Sequence, residues 1–250
     1  MRVSVFHIIM LFVFSLSFSQ SKNTFKTANE LYNNGDYENA LIHYQKIVDN
    51  GEHSASLYFN MGNAHYKLNR VAESIYNYEK ALLMDPNNEE IKNNLGFAQK
   101  MTIDAIDAIP ESGFSKMFNS AVGTFHFDTW AKIAIVFSIL FVLSFIGYYF
   151  AYQTSRKRLL FISSGLSLLF LVASLFFAYQ QESYTNSIVQ GIVFAEESKV
   201  KAEPNLRSEE SFKLHEGAKV RVLESVKDWK KIRLADGKTG WILAEDIKEL

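Results

Sequence analysis

The chain has 250 residues, with 26 Lys or Arg against 27 Asp or Glu and a formal net charge of −1, so it lacks the basic excess that nucleic-acid binding needs. It contains no cysteine, which excludes a disulfide framework, a thiolate metal site, a thiol nucleophile and a lipid-modified cysteine. The 48% hydrophobic content averages two charge-free runs with two polar segments, so each segment has to be judged by itself.

Residues 1–19, "MRVSVFHIIMLFVFSLSFS", place Arg2 ahead of an apolar core that runs to about Leu16, with small residues at Ser17 and Ser19. That is the pattern of a secretory signal peptide, and it predicts export of the chain from Ser21 onward.

Residues 21–101 repeat themselves at an offset of 34. Setting "KTANELYNNGDYENALIHYQKIV" from Lys26 over "NMGNAHYKLNRVAESIYNYEKAL" from Asn60 pairs Ala28 with Gly62, Asn29 with Asn63, Tyr32 with Tyr66, Ala40 with Ser74 and Tyr44 with Tyr78. Gly96 falls at the next step after Gly62. Small residues at these positions let paired helices approach, Gly35-Asp36 supplies a turn, and Asp85-Pro86 ends the second unit. The segment resembles the tetratricopeptide repeat, whose period is 34 residues, with copies at 21–54 and 55–88 and a partial copy at 89–101. The resemblance implies an all-α solenoid whose concave face would hold a segment of a partner protein. By the same resemblance the groove positions are Phe25, Asn29 and Tyr32 in the first copy and Phe59, Asn63, Tyr66 and Lys67 in the second. Asn29 and Asn63 stand where that family uses an asparagine amide on a ligand backbone; the plain alternative is two solvated polar positions. Leu95 and Phe97 are expected to cap the array or to pass it on to the membrane segment.

Residues 102–129 form a linker broken by Pro110, followed by Phe114, Met117, Phe118, Ala121 and Val122 at helical spacing. This predicts a helix lying in a membrane interface or one packed on the last repeat. His126 and Asp128 do not form a ligand set by themselves.

Ile133 to Tyr152 and Leu159 to Gln181 carry no charge, and about 20 helical residues cross the roughly 30 Å hydrocarbon core of a bilayer. Two transmembrane helices are predicted, at 130–152 and 159–181. Trp130, Tyr148, Tyr149, Tyr152 and Tyr179 lie near their ends, where amphipathic rings favour the headgroup layer. Arg156, Lys157 and Arg158 in the 153–158 loop predict that this loop is cytoplasmic and that both flanking segments lie outside.

Residues 188–250 change character again, to short β-branched runs with Asp236-Gly237 as a tight turn. "VKAEPNLRSEES", "LHEGAKVRVLE", "DWKKIRLADGKTGWI" and "AEDI" succeed one another in an order that resembles a bacterial SH3-type domain, implying an all-β barrel. Glu209 and Glu210 replace the Gly and Pro that many relatives carry. Trp229 is the expected contact surface and Trp241 the expected packing residue. Segment by segment the charges balance, 8 cations against 10 anions in 21–101 and 12 against 12 in 188–250, which again speaks against nucleic acid as a partner.

No G-x-S-x-G, phosphate-cradling glycine loop or metal-ligand histidine spacing occurs; the histidines are scattered at 7, 43, 53, 65, 126 and 215. The chain reads as non-enzymatic, and no cofactor is implied. The order of leader, repeats, two spans and SH3-type domain resembles the BatE family of Bacteroides aerotolerance proteins. That resemblance implies a multidomain inner-membrane scaffold with both soluble domains periplasmic, working beside von Willebrand A-type membrane proteins and a MoxR-type ATPase under stress. The competing expectation is a cell-wall sensor that binds peptidoglycan through the SH3-type domain.

Overall fold

The computed structural model describes residues 22–106, 113–125, 127–187 and 189–250; the leader, Pro110 and His126 lie outside them. Among the described residues there are eight helices and one seven-stranded sheet. They divide into two units, one made of the first five helices with the sheet, the other of the remaining three helices.

In the first unit α1 covers residues 22–33, followed by α2 (Tyr37–Asp49), α3 (Ala55–Lys67), α4 (Val71–Met84) and α5 (Glu89–Gln99). Local chemistry sets the ends. Asp36 caps α2 by accepting from the Asn39 backbone, Ser54 caps α3 through Leu57, and Asn88 caps α5 through Glu90 and Ile91, each satisfying amides that the first helical turn leaves without partners. Gly35 makes the α1–α2 turn with φ +82°, a region open to glycine at little cost.

Close approach between α3 and α4 is built on Gly62. A Cβ there would lie 2.7 Å from both Cδ1 and Cε1 of Tyr78, while the buried Ser74 hydroxyl donates to the Gly62 carbonyl at 3.0 Å. Gly96, the same position one period later, meets nothing within 4 Å. Among the described residues α5 has no helix paired with it as α4 is with α3, so the expected packing role of Gly96 is corrected. Leu95 is buried, as a cap should be, but Phe97 is 55% exposed.

The sheet is antiparallel throughout, in the order β3-β2-β6-β5-β4-β1-β7. Its strands are β1 (Val189–Val193), β2 (Glu197–Lys201), β3 (Glu210–His215), β4 (Lys219–Val226), β5 (Trp229–Arg233), β6 (Thr239–Leu243) and β7 (Ile247–Glu249). Val193, Val200, Leu214, Val220, Ile232 and Ile242 form its core. Separate soluble domains are the natural expectation for segments this far apart in sequence, yet the sheet is docked on the helices. Ile192 belongs to the helical core, with Phe194 and Leu250 packed against it. Phe194 meets Tyr76 edge-on at 5.7 Å, and the Lys248 ammonium stands 4.9 Å from the Tyr76 ring centroid. Lys219 is paired with the buried Glu79 at 2.7 Å. Asp104 accepts from the His215 backbone at 2.6 Å and meets its Nδ1 at 2.9 Å. Gly217, at φ +84°, fits between these parts: a Cβ there would lie 2.7 Å from Thr102, 3.0 Å from Ile75 and 3.2 Å from Val71.

The second unit contains α6 (Gly113–Val122), α7 (Phe127–Phe150) and α8 (Thr154–Ser187). α7 and α8 are long and apolar enough to cross a membrane. They pair through small side chains, with Ser144 and Ser163 hydroxyls 3.1 Å apart and Leu160 against Gly147, which suits helices that meet where water offers no driving force. Ala134 is the one buried residue of α7 among those described, and outward side chains such as Leu143 and Leu159 are 60% and 69% exposed. α6 packs on the hairpin through Phe118 against Phe176 and Phe177, and the Trp130 indole donates to the Val122 carbonyl at 3.0 Å. The expected 153–158 loop is corrected: Arg156, Lys157 and Arg158 lie in the first turns of α8, where the Lys157 amide donates to Gln153. Long-chain cations are good helix formers, so the connection shrinks to residues 151–153.

Two substitutions test this architecture in the full chain. Gly62→Ala forces the Tyr78 ring out of its site and should cost about 1 to 3 kcal/mol, as overpacking does; a melting temperature equal to wild type would mean that the α3–α4 contact yields freely. Gly217→Val should strain the turn at φ +84° and loosen the sheet from the helices, read as faster hydrogen exchange at Val71–Ile75 and at Val193. Unchanged protection at both places would show that the docking does not depend on Gly217.

Candidate binding groove

α1, α3 and α5 lie on one side of the helical array, and a groove of about 260 Å³ runs between them. Tyr32 comes from α1, Asn63, Tyr66 and Lys67 from α3, and Asn94 and Phe97 from α5, with Tyr78 of α4 beneath. Four of the seven positions expected from sequence, Tyr32, Asn63, Tyr66 and Lys67, are therefore brought together.

The other three go elsewhere. Phe25 packs on Tyr44 at 5.8 Å and lines a second cavity of about 270 Å³ with Ile47, Glu52 and His53. Phe59 makes the equivalent contact with Tyr78 at 5.9 Å. Asn29 is spent on an internal network: its Oδ1 accepts from the Tyr44 hydroxyl at 2.6 Å and from Asn60 Nδ2 at 3.0 Å.

Asn63 has the same partners one period later, accepting from Tyr78 at 2.6 Å and from Asn94 at 2.9 Å. Each asparagine oxygen thus receives one tyrosine and one asparagine donor, filling both acceptor sites of an amide carbonyl. Only the Asn63 NH2 group is left for a ligand, so this amide cannot both donate to and accept from a ligand backbone. With the Lys67 ammonium and the Tyr32 and Tyr66 hydroxyls beside it, the groove presents mainly donors. Among the described residues no carboxylate lines it. Burial pushes the Tyr44 phenol up to about 12 and Tyr78 further in the same direction, so both remain protonated donors. His65, behind the groove on α3, is lowered to about 4 by burial, and its Nδ1 has no partner; it is neutral at ordinary pH.

Tyr78, Asn94 and Phe97 were not anticipated in the groove. Asn94 could have been found, since it stands 34 residues after Asn60 just as Asn63 does after Asn29. Phe97 replaces the asparagine at the third step of that register and is exposed on α5, with the Lys100 ammonium 5.5 Å from its ring centroid. In the sheet, the expected contact surface at Trp229 is corrected: the ring is 8% exposed, with Val226 and Leu243 as its cross-strand neighbours. Trp241 is 9% exposed and has Lys201 and Lys231 across from it on either side.

Residues 62–102 match a family model described as TPR repeat, and residues 197–248 one described as Bacterial SH3 domain. The chain joins these two domain types. The C-terminal SH3 domain of Myosin IB from Entamoeba histolytica is similar at 23% identity over 26% of this chain and 95% of that one, with a TM-score of 0.18. No curated relative matches.

Asn63→Ala strands the buried Tyr78 hydroxyl and a half-buried Asn94 donor, and leaving a buried donor unpaired costs about 1 to 3 kcal/mol. The full chain should therefore melt lower, and Asn63→Asp, which keeps the acceptor, should lose less. Equal melting of Asn63→Ala and wild type would show that the network adds nothing to the fold.

Proposed function

We propose that the protein is a non-enzymatic membrane scaffold in which tetratricopeptide-type helices form a short solenoid that holds an extended segment of a partner protein. The carrying observation is the groove, where Asn63 NH2, Lys67 and two tyrosines converge beside exposed Phe97. Such a lining suits a peptide that offers carbonyl or carboxylate acceptors and one apolar side chain.

In this reading α7 and α8 cross the membrane. Water does not tolerate their exposed apolar flanks, whereas a bilayer covers them. The sheet packs on α1–α5, so the segments before α7 and after α8 must share one side of the membrane. Arg156–Arg158 at the hairpin tip favour a cytoplasmic tip and a periplasmic body. The resemblance to the BatE family adds a role in a stress-related membrane complex, with von Willebrand A-type proteins as the expected partners. The bacterial SH3 match favours a second reading, peptidoglycan binding, although burial of Trp229 and Trp241 removes the aromatic surface it would use.

Because helices and sheet share a core, the full chain is the proper bait. Lys67→Glu with Phe97→Ala should abolish recovery of a membrane partner from detergent extract at wild-type melting temperature, with binding to purified cell wall unaffected. Recovery at wild-type yield would remove the groove from the function, and loss of cell-wall binding in a sheet variant alone would favour the sensor. For topology, single cysteines at Ser155 and Ser225 are probed with an impermeant thiol reagent on spheroplasts. Ser225 should label and Ser155 should not; the reverse pattern inverts the orientation.

A further inference from the structure

One row of side chains runs straight across four strands of the sheet. Gln190 of β1 is the register partner of Arg221 of β4, Arg221 of Arg233 of β5, and Arg233 of Thr239 of β6. Direct cross-strand partners share a face, so two arginines stand side by side between two neutral hydrogen-bonding residues. Like charges placed directly opposite destabilise a sheet.

Four cations of the domain are paired, Lys213 with Glu197, Lys230 with Glu249, Lys238 with Asp236 and Lys219 with Glu79, while Lys231, in the next row, stands over the Trp241 ring. Among the described residues, neither arginine has an ion pair or a side-chain hydrogen bond. The nearest acid along β4 is Glu224, which faces Lys231 in the next row. Arg233 is exposed and Arg221 half-buried, so the row is reached from the Arg233 end.

We propose that the Gln190–Arg221–Arg233–Thr239 row is a binding site for the phosphate of an anionic phospholipid headgroup. Two adjacent guanidinium forks offer the planar, multiply donating geometry that phosphate oxygens accept, and Gln190 and Thr239 supply donors at either end. The connection to the membrane selects a lipid over a soluble anion. One residue separates the end of α8 from the start of β1, and Gln190 is nine residues beyond Gln181 at the end of the apolar run. Six of those nine are helical, so the row is tethered within roughly 20 Å of chain from the end of the span. This step rests on the reading of α8 as a membrane helix.

The test is native mass spectrometry of the full chain in detergent, titrated with phosphatidylglycerol or phosphatidylcholine. Wild type should retain the anionic lipid at least about tenfold more tightly, and Arg221→Gln with Arg233→Gln should erase that preference. A charge-matched control, Lys199→Gln with Lys227→Gln, should keep it. Arg156, Lys157 and Arg158 are present in every variant, so a difference belongs to the arginine row. With no lipid added, the double arginine variant should melt at or above the wild-type temperature, because the repulsion is gone. Lipid preference unchanged in that variant overturns the site, and a lower melting temperature overturns it by making the arginines structural. Equal protection by inorganic phosphate alone overturns the lipid assignment in favour of a soluble anion. Carbonate extraction of membranes separately reports whether α7 and α8 span, so failure of that reading is distinguishable from failure of the site.

Discussion

Two half-buried asparagine oxygens hold the helical array in register. Asn29 on α1 gathers Tyr44 from α2 and Asn60 from α3, and Asn63 on α3 gathers Tyr78 from α4 and Asn94 from α5. Every helix from α1 to α5 is thereby tied into the array by a polar bond with strict geometry, inside a core whose apolar contacts alone tolerate sliding. Gly62 belongs to the same arrangement, since only a residue without Cβ lets the Tyr78 ring come close enough to reach Asn63. The groove is a by-product of this network. Its floor is Tyr78, its walls are the helices that the network aligns, and its donor character arises because the acceptors are already used.

The second organising contact is the sheet on the helices. Glu79 is nearly buried and would be costly without Lys219, and Asp104 is anchored twice by His215. These polar contacts surround an apolar patch in which Ile192 and Phe194 from β1 and its end complete the helical core. The shared core makes any event at the groove and any event on the sheet properties of one object. A ligand that stiffens α3 and α4 acts on the surface that carries Lys219, and the arginine row begins two residues further along the same strand.

Much of this was legible in the residues. The 34-residue offset, the glycine at 62, the turn at Gly35 and the two charge-free runs come from local rules of spacing, backbone freedom and hydrocarbon thickness, and those rules act within a few turns of chain. Tyr32, Asn63, Tyr66 and Lys67 were expected together only through the tetratricopeptide resemblance, and the structure does bring them to one groove. Tertiary structure alone decided what these groups are free to do. That Asn63 has lost its acceptor depends on Asn94, 31 residues away, and that Trp229 is covered depends on Leu243 and Val226 across the sheet. Gly217 looks like an ordinary turn glycine until Thr102, Ile75 and Val71 close around it. Spacing along a chain states which side chains can share a face, but hydrogen-bonding capacity and burial are settled by whatever arrives from elsewhere in the fold.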